Sequence, residues 1–383
     1  MTLEISKQLA KDRVSLSLTG RLDANTCALL EKELATADAD CVTLDLGECQ
    51  YVSSAGLRVL LLAHQKQAAR GGSLNILNVT PNVRSVLDVT GLGEIFRWKP
   101  KPREISLESA ERISAGAFGD CYRLDPETVV KLYREGVDPV VAEREKQFAR
   151  AALILGVPTA ISYDVVACGN RTGIVYEMLE AELFSSIIRK TPDDMATHAR
   201  QLADIAKTIH RATGDPAMLP DMKTQLRAYI EEMGFFLSSD DIQLLQRQLE
   251  KIPSAETCVH FDIHSSNIMF KGDQPFIIDM GDFSIGSYFF DIGLIATIYD
   301  TPEFNVCELA TGLTPEMGRE LFEKFLQAYF SDKPAEDYRF FQDNRHFLAS
   351  LRAIYTITAL PKMRDQLAFA LKEFILPKIR QET

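Results

Sequence analysis

The stretch His260-Phe261-Asp262-Ile263-His264-Ser265-Ser266-Asn267, followed by Ile277-Ile278-Asp279, gathers polar side chains at short spacing between apolar runs. These residue types suit phosphoryl transfer, a reaction that asks a protein for positioning and charge stabilisation more than for covalent chemistry. The reaction needs a carboxylate to orient or deprotonate an acceptor hydroxyl, a role open to Asp262. It also needs oxygen ligands for Mg2+, which binds through one or two carboxylates plus phosphate oxygens. Asn267 and Asp279 suit that second role. Apolar Ile268-Met269-Phe270 and Phe276-Ile277-Ile278 flank Lys271-Gly272-Asp273-Gln274-Pro275, which predicts a hairpin returning Asp279 to the loop that carries Asp262 and Asn267.

Other elements must bring a nucleotide to these groups. Val129-Val130-Lys131-Leu132-Tyr133 reads as a strand with one lysine among apolar neighbours, and residues 173–177 read as a second β-rich run. Ser114-Ala115-Gly116-Ala117-Phe118-Gly119 holds two glycines, whose missing Cβ lets backbone N–H groups approach a phosphate, although such a pair also makes an ordinary turn. Residues 194–211 then place Met195, Leu202, Ile205 and Ile209 on one helical face. From residue 317 onward nearly everything reads helical, with strong runs at 321–329 and 347–360. The outline is a small β-rich lobe followed by a large helical one.

The motif resembles that of the aminoglycoside phosphotransferase and choline kinase family, H-G-D-x-H-x-x-N followed by I-D, within the protein kinase-like superfamily. The resemblance implies a bilobal α+β fold, ATP and Mg2+ as cofactors, Asp262 as catalytic base, and Asn267 and Asp279 as metal ligands. It further implies that Gly116 and Gly119 flank a phosphate loop and that Lys131 holds the α- and β-phosphates. Glu145 would pair with that lysine, with Glu143 as the alternative, and the Glu177 carbonyl and Leu179 amide would bind adenine. Residues 281–296 resemble the family's G-x-x-D-I/L-A element, in which Asp291, together with His260, would brace the catalytic loop. His264 stands where protein kinases usually have Lys, which favours the small-molecule branch. Phe261 stands where the family normally has Gly, and the first glycine of the phosphate loop is missing.

The first hundred residues read differently. Residues 14–19, 42–46 and 74–79 alternate like half-buried strands, and between them lie helical patterns. Residues 26–37 carry Leu29, Leu30 and Leu34 on one face, and residues 56–69 carry Leu57, Leu60, Leu61 and His64. Strands alternating with helices predict an α/β layer. Ser53 and Ser54 fall where a strand-and-loop run meets a helix; a helix start favours Ser as a cap, and it would also welcome a phosphate. Leu18-Thr19-Gly20-Arg21-Leu22-Asp23, Leu44-Asp45-Leu46, Ser53-Ser54-Ala55-Gly56-Leu57 and Val89-Thr90-Gly91-Leu92 resemble the STAS domain of anti-sigma factor antagonists. That likeness implies a protein partner and makes Ser54 the candidate phosphoserine. The expected organisation is a STAS-like regulatory domain over residues 1–98, a Pro- and cation-rich linker over 99–105, and a kinase-like domain over 106–383. Within the last, the N-lobe is expected at about 106–180 and the C-lobe at about 181–383.

Composition narrows the classes. The chain is 46% apolar and 25% charged, an ordinary globular balance. Residues 1–100 are charge-neutral, so the net charge of −12 sits entirely in the remainder, a surface that repels nucleic-acid backbones and would tolerate a cationic small molecule. No apolar run reaches bilayer length; the longest candidate, residues 289–299, contains Asp291. The N-terminal residues lack a secretory pattern, and the seven cysteines form no CxxC pair, so a cytoplasmic location with reduced thiols is expected. The sum is an ATP- and Mg2+-dependent kinase acting on a hydroxyl acceptor, regulated by or coupled to a STAS domain. The alternative is a partner-switching regulator whose kinase-like half binds nucleotide or phosphorylates the STAS serine.

Overall fold

Period-two alternation in the first hundred residues becomes a four-stranded sheet in the computed structural model, which describes residues 3–10, 13–37, 39, 41–96, 102–116, 119–359 and 363–382. Two units, Met1–Arg103 and Glu104–Thr383, each enclose a core of their own. In the first, β1 (Glu4–Ala10) pairs antiparallel with β2 (Arg13–Leu22). Strand β3 (Cys41–Val52) lies parallel to β2, and β4 (Ser73–Leu77) parallel to β3. Helices α1 (Cys27–Ala35), α2 (Ser54–Ala69), α3 (Pro81–Val89) and α4 (Leu92–Phe96) complete this α/β layer. Leu16, Leu22, Leu44, Leu60 and Ile76 are fully buried in its core. Leu29, Leu30 and Leu34 do not share one buried face: Leu30 is buried and Leu34 packs against the core, but Leu29 is half exposed, because neighbouring residues on a helix point about 100° apart.

Six strands form the next sheet, in the second unit but for the first residue of β5: β5 (Arg103–Glu104), β6 (Glu111–Ala115), β7 (Gly119–Arg123), β8 (Thr128–Tyr133), β9 (Ser162–Cys168) and β10 (Arg171–Glu177). Their order is β5-β9-β10-β8-β7-β6, antiparallel from β9 through to β6. Gly119 opens β7 so close to β8 that a Cβ there would lie 2.3 Å from the Leu132 carbonyl oxygen, which excludes any larger residue. Helix α5 (Pro139–Ile154) starts on Asp138, whose side chain accepts the Val140 N–H, with Pro139 in the first turn. Residues 99–101 of the expected linker, and Ala117 and Phe118 of the glycine loop, lie outside the described residues.

The rest of this unit is helical. The helix Met195–Arg211 buries Met195, Leu202, Ile205 and Ile209, the face read from the sequence. The segment Phe289–Asp300 is a helix buried from Phe289 to Tyr299, apolar on all sides because it runs through the centre of the lobe. It crosses the helix Arg345–Ala359 at Gly293, where a Cβ would sit 2.5 Å from the Leu348 carbonyl oxygen. Among the described residues no helix is long and apolar enough to cross a membrane.

Gly293→Ala is therefore expected to force these two helices apart and to destabilise the second unit by about 1–3 kcal/mol, the usual cost of overpacking. The readout is a lower urea midpoint for the second unit's transition; an unchanged midpoint contradicts the close crossing.

Candidate active site

The short strand Cys258–Val259 delivers the chain to His260, and from there the backbone is held by one carboxylate. Asp291, fully buried on the central helix, accepts the His260 N–H at 2.9 Å, the Phe261 N–H at 2.6 Å and His210 Nε2 at 2.9 Å. Burial opposes ionisation of Asp291, but the hydrogen bonds from His210 and the loop outweigh it and hold the carboxyl below its ordinary pKa. His260 takes the Asp262 N–H on Nδ1 at 3.2 Å, so its Nε2–H faces the Ile278 carbonyl, 3.2 Å away. That contact joins the Asp262 loop to the residue before Asp279.

The hairpin read from the sequence is present. Ile268–Lys271 pairs antiparallel with Gln274–Ile277, Ile268 opposite Ile277, and the Ile278 N–H donates to the Asn267 carbonyl at 2.9 Å. Asp279 leaves the hairpin with φ +65°, a left-handed backbone uncommon for Asp and typical of functional loops. Its Oδ1 meets Lys131 Nζ at 2.8 Å. The same ammonium meets both Glu145 oxygens at 2.9 Å, so Glu145, rather than Glu143, is the partner. Glu145 is almost fully buried and also accepts the hydroxyls of Tyr133 and of Tyr176, the latter at 2.8 Å. Burial would lower the Lys131 pKa, yet Asp279 and Glu145 overcome it and keep the amine charged.

Asp262 is clamped on both oxygens. Asn267 Nδ2 donates to Oδ2 at 3.0 Å and to the Asp262 carbonyl at 2.9 Å, while Arg352 Nη2 reaches Oδ1 at 2.9 Å. With its nitrogen committed to Asp262, Asn267 keeps its own side-chain oxygen for another ligand. His264 Nε2 is 4.0 Å from Asp262, but burial pushes its pKa down, so the contact is not an ion pair; its Nδ1 accepts the Ser266 N–H.

The glycine pair and the expected hinge lie on the small lobe. The Gly116 N–H donates to the Gly119 carbonyl at 2.7 Å, closing the β6–β7 turn, and Arg134 ties the Gly116 carbonyl and Asp120 together. Glu177 ends β10; its N–H goes to the Ile161 carbonyl at 3.0 Å. The Met178 N–H goes to the Glu127 carbonyl at 2.7 Å, and half-buried Leu179 follows as the chain leaves the sheet. In the first unit, Ser53 caps α2 by accepting the Gly56 N–H at 3.3 Å, which leaves Ser54 exposed at the first helical position.

The sequence reading missed Arg352, Asp282 and Tyr355. Arg352 Nη1 donates to Asp282 at 2.6 Å, and the Tyr355 hydroxyl donates to Asp282 at 2.9 Å. The available signal was a lone arginine inside the apolar helical run of residues 347–360.

In chain order, a two-lobed kinase-like domain follows a smaller α/β unit. Residues 5–97 match the family described as Mlab, STAS domain. Residues 109–340, well over half of the chain, match the phosphotransferase enzyme family, and the chain belongs to it. BtrV of Bordetella bronchiseptica, named as an anti-sigma factor antagonist, is 40% identical over 83 residues, which cover 21% of this chain and 71% of that one. The aminoglycoside phosphotransferase APH(2'')-Ib, solved with ADP bound, has a TM-score of 0.47 at 17% identity and covers 74% of this chain and 96% of its own. A choline/ethanolamine kinase family protein of Mesorhizobium loti has a TM-score of 0.43 at 14% identity and covers 71% and 91%.

Asp291→Ala strips a partner from three buried donors, each worth roughly 1–3 kcal/mol, and is expected to destabilise the second unit by about 3 kcal/mol or more. The Asp291 pKa is lowered by folding, so its contribution is complete above the ordinary carboxylate value near pH 4 and is lost as pH falls below it. Urea unfolding should thus separate variant from parent by up to about 1.4 kcal/mol less at pH 3 than at pH 7; a gap that does not shrink would exclude the ionised Asp291 as its source.

Proposed function

We propose that residues 106–383 form an ATP- and Mg2+-dependent phosphotransferase acting on the hydroxyl of a small molecule, coupled to the STAS domain of residues 1–98. The observation that carries this reading is the convergence of Lys131, Glu145 and Asp279 in one ion cluster, with Asp262 and Asn267 bonded to each other at the open end of the hairpin that delivers Asp279. A lone ion pair would be structural; this set joins both lobes and leaves the Asp262 carboxylate 20% exposed.

The donor chemistry fits the cofactors. Asp279 and the side-chain oxygen of Asn267 are hard ligands, few in number, as Mg2+ prefers when phosphates supply the rest. Among the described residues no group of three His, Cys, Asp or Glu forms an all-protein cage. When bound, the ion would neutralise charge on the transferring phosphoryl group. Lys131, kept charged and aimed by Glu145, would hold the nucleotide phosphates. The turn between Gly116 and Gly119 would cover them, and the Glu177 carbonyl and Leu179 amide would receive adenine. Asp262 would take the acceptor hydroxyl's hydrogen bond and orient the oxygen for in-line attack. His260 and Asp291 act on the loop backbone. The net negative charge carried by the residues after the first hundred suits a cationic acceptor.

A second reading is favoured by one observation. Because Ser53 does the capping, the Ser54 hydroxyl is free of that task and exposed, so it could carry a phosphate through which the STAS domain switches protein partners.

Asp262→Asn is expected to lower ATP-dependent phosphorylation by about 10²–10⁴-fold while ATP affinity stays within a few-fold, measured over a panel of aminoglycosides, amino alcohols and sugars. Full activity in that variant removes Asp262 from the mechanism. Intact-mass analysis of dephosphorylated protein after incubation with Mg-ATP tests the second reading: a gain of one phosphate, absent in Ser54→Ala, supports it, and no gain rules out phosphorylation of Ser54 by this chain.

A further inference from the structure

Arg352 is almost buried, with about 10% of its side chain exposed, and its guanidinium reaches both the Asp262 loop and the segment that follows Asp279. One guanidinium nitrogen, Nη2, lies 2.9 Å from Asp262 Oδ1. The other, Nη1, donates to the Phe261 carbonyl at 2.9 Å and to Asp282 Oδ2 at 2.6 Å. Its flat face lies 4.6 Å from the Tyr355 ring centroid and 5.5 Å from that of Phe261. Asp282 is itself held by the Tyr355 hydroxyl. A guanidinium is planar and stays charged, and here the paired carboxylates raise its pKa further despite burial. Its fork therefore has one orientation in this pocket.

We infer that Arg352 is the positioning residue of the proposed catalytic carboxylate, clamping Asp262 from the side opposite Asn267. The inference rests on the phosphotransferase reading of Asp262. With Oδ2 on Asn267 and Oδ1 on Arg352, the carboxylate cannot rotate about its last bond without breaking a charged or buried hydrogen bond. A carboxylate has about four acceptor sites, so the unused lone pairs point in a fixed direction, toward which an acceptor hydroxyl must come. Rigid orientation of this kind is what a reaction driven by positioning requires.

The same arginine accounts for Phe261. Its φ of +59° lies in the left-handed region, where the family's glycine costs nothing and a phenylalanine is strained. Arg352 receives the carbonyl that this backbone turns toward it, and the ring, 1% exposed, packs edge-on to Tyr355 and beneath the guanidinium. Glycine would free the backbone but leave the guanidinium without a floor. Phe261, Arg352, Tyr355 and Asp282 thus form one support under the carboxylate.

The test uses the full chain with Mg-ATP and the acceptor panel above, scoring kcat and the KM for ATP. Arg352→Met is expected to lower kcat at least 30-fold with the KM for ATP within twofold, and Arg352→Lys to recover part of the loss by restoring the charge without the fork. A parallel measurement needs no activity: urea midpoints for Arg352→Met, Asp262→Asn and the double variant. If Arg352 clamps Asp262, the loss from Arg352→Met shrinks once Asp262 is already Asn. An active parent with unchanged kcat in Arg352→Met, a kcat loss matched by the KM, or strictly additive midpoints each overturns the inference. A parent that consumes no ATP with any acceptor defeats the phosphotransferase reading instead, and the midpoints still decide whether the clamp exists.

Discussion

Asp291 is a charge placed where charge is least welcome, on a helix buried along nearly its whole length, and the loop bearing Asp262 hangs from it. Two backbone N–H groups and an imidazole repay the burial, and in doing so they fix where His260 and Phe261 can be. From that anchor the rest follows in order. His260 reaches across to Ile278, the hairpin fixes the spacing of Asn267 and Asp279, and Asp279 receives Lys131 from the other lobe. Gly293, two residues beyond Asp291, lets the helix carrying Arg352 approach closely enough for its guanidinium to reach Asp262.

Carboxylates dominate this centre, and each has a named partner. Glu145 and Asp279 share Lys131, while Asp262 and Asp282 share Arg352. The two cations differ in kind. Lys131 presents a point charge on a flexible stem, suited to changing partners, whereas Arg352 presents a planar fork wedged over two aromatic rings. One half of the centre is held by a point charge with three oxygen contacts, the other by a planar group with fixed directions.

Much of this was legible in the chain because it is written locally. Lys271-Gly272-Asp273-Gln274-Pro275 carries turn chemistry between apolar runs, so the hairpin and the placement of Asp279 could be read directly. Lys131 inside an apolar strand and Glu145 on the next helix could be paired through the order of a family's elements. Arg352 could not, since its partner lies ninety residues earlier and only the crossing at Gly293 brings them together. Strand β1 was also silent, because as a sheet edge it shows mostly polar residues and an exposed Leu9. Leu29 misled for the opposite reason: two adjacent leucines both look like core, yet neighbouring helix positions point about 100° apart and only Leu30 faces inward.

The left-handed backbone at Phe261 also couples this loop to a distant helix. A bulky side chain on such a backbone is strained, and persists where its surroundings hold it in place. The arginine and tyrosine one turn apart on the helix Arg345–Ala359 supply that hold, one against the ring's face and the other against its edge. A replacement on either side is therefore felt on the other, although some ninety residues of chain separate them.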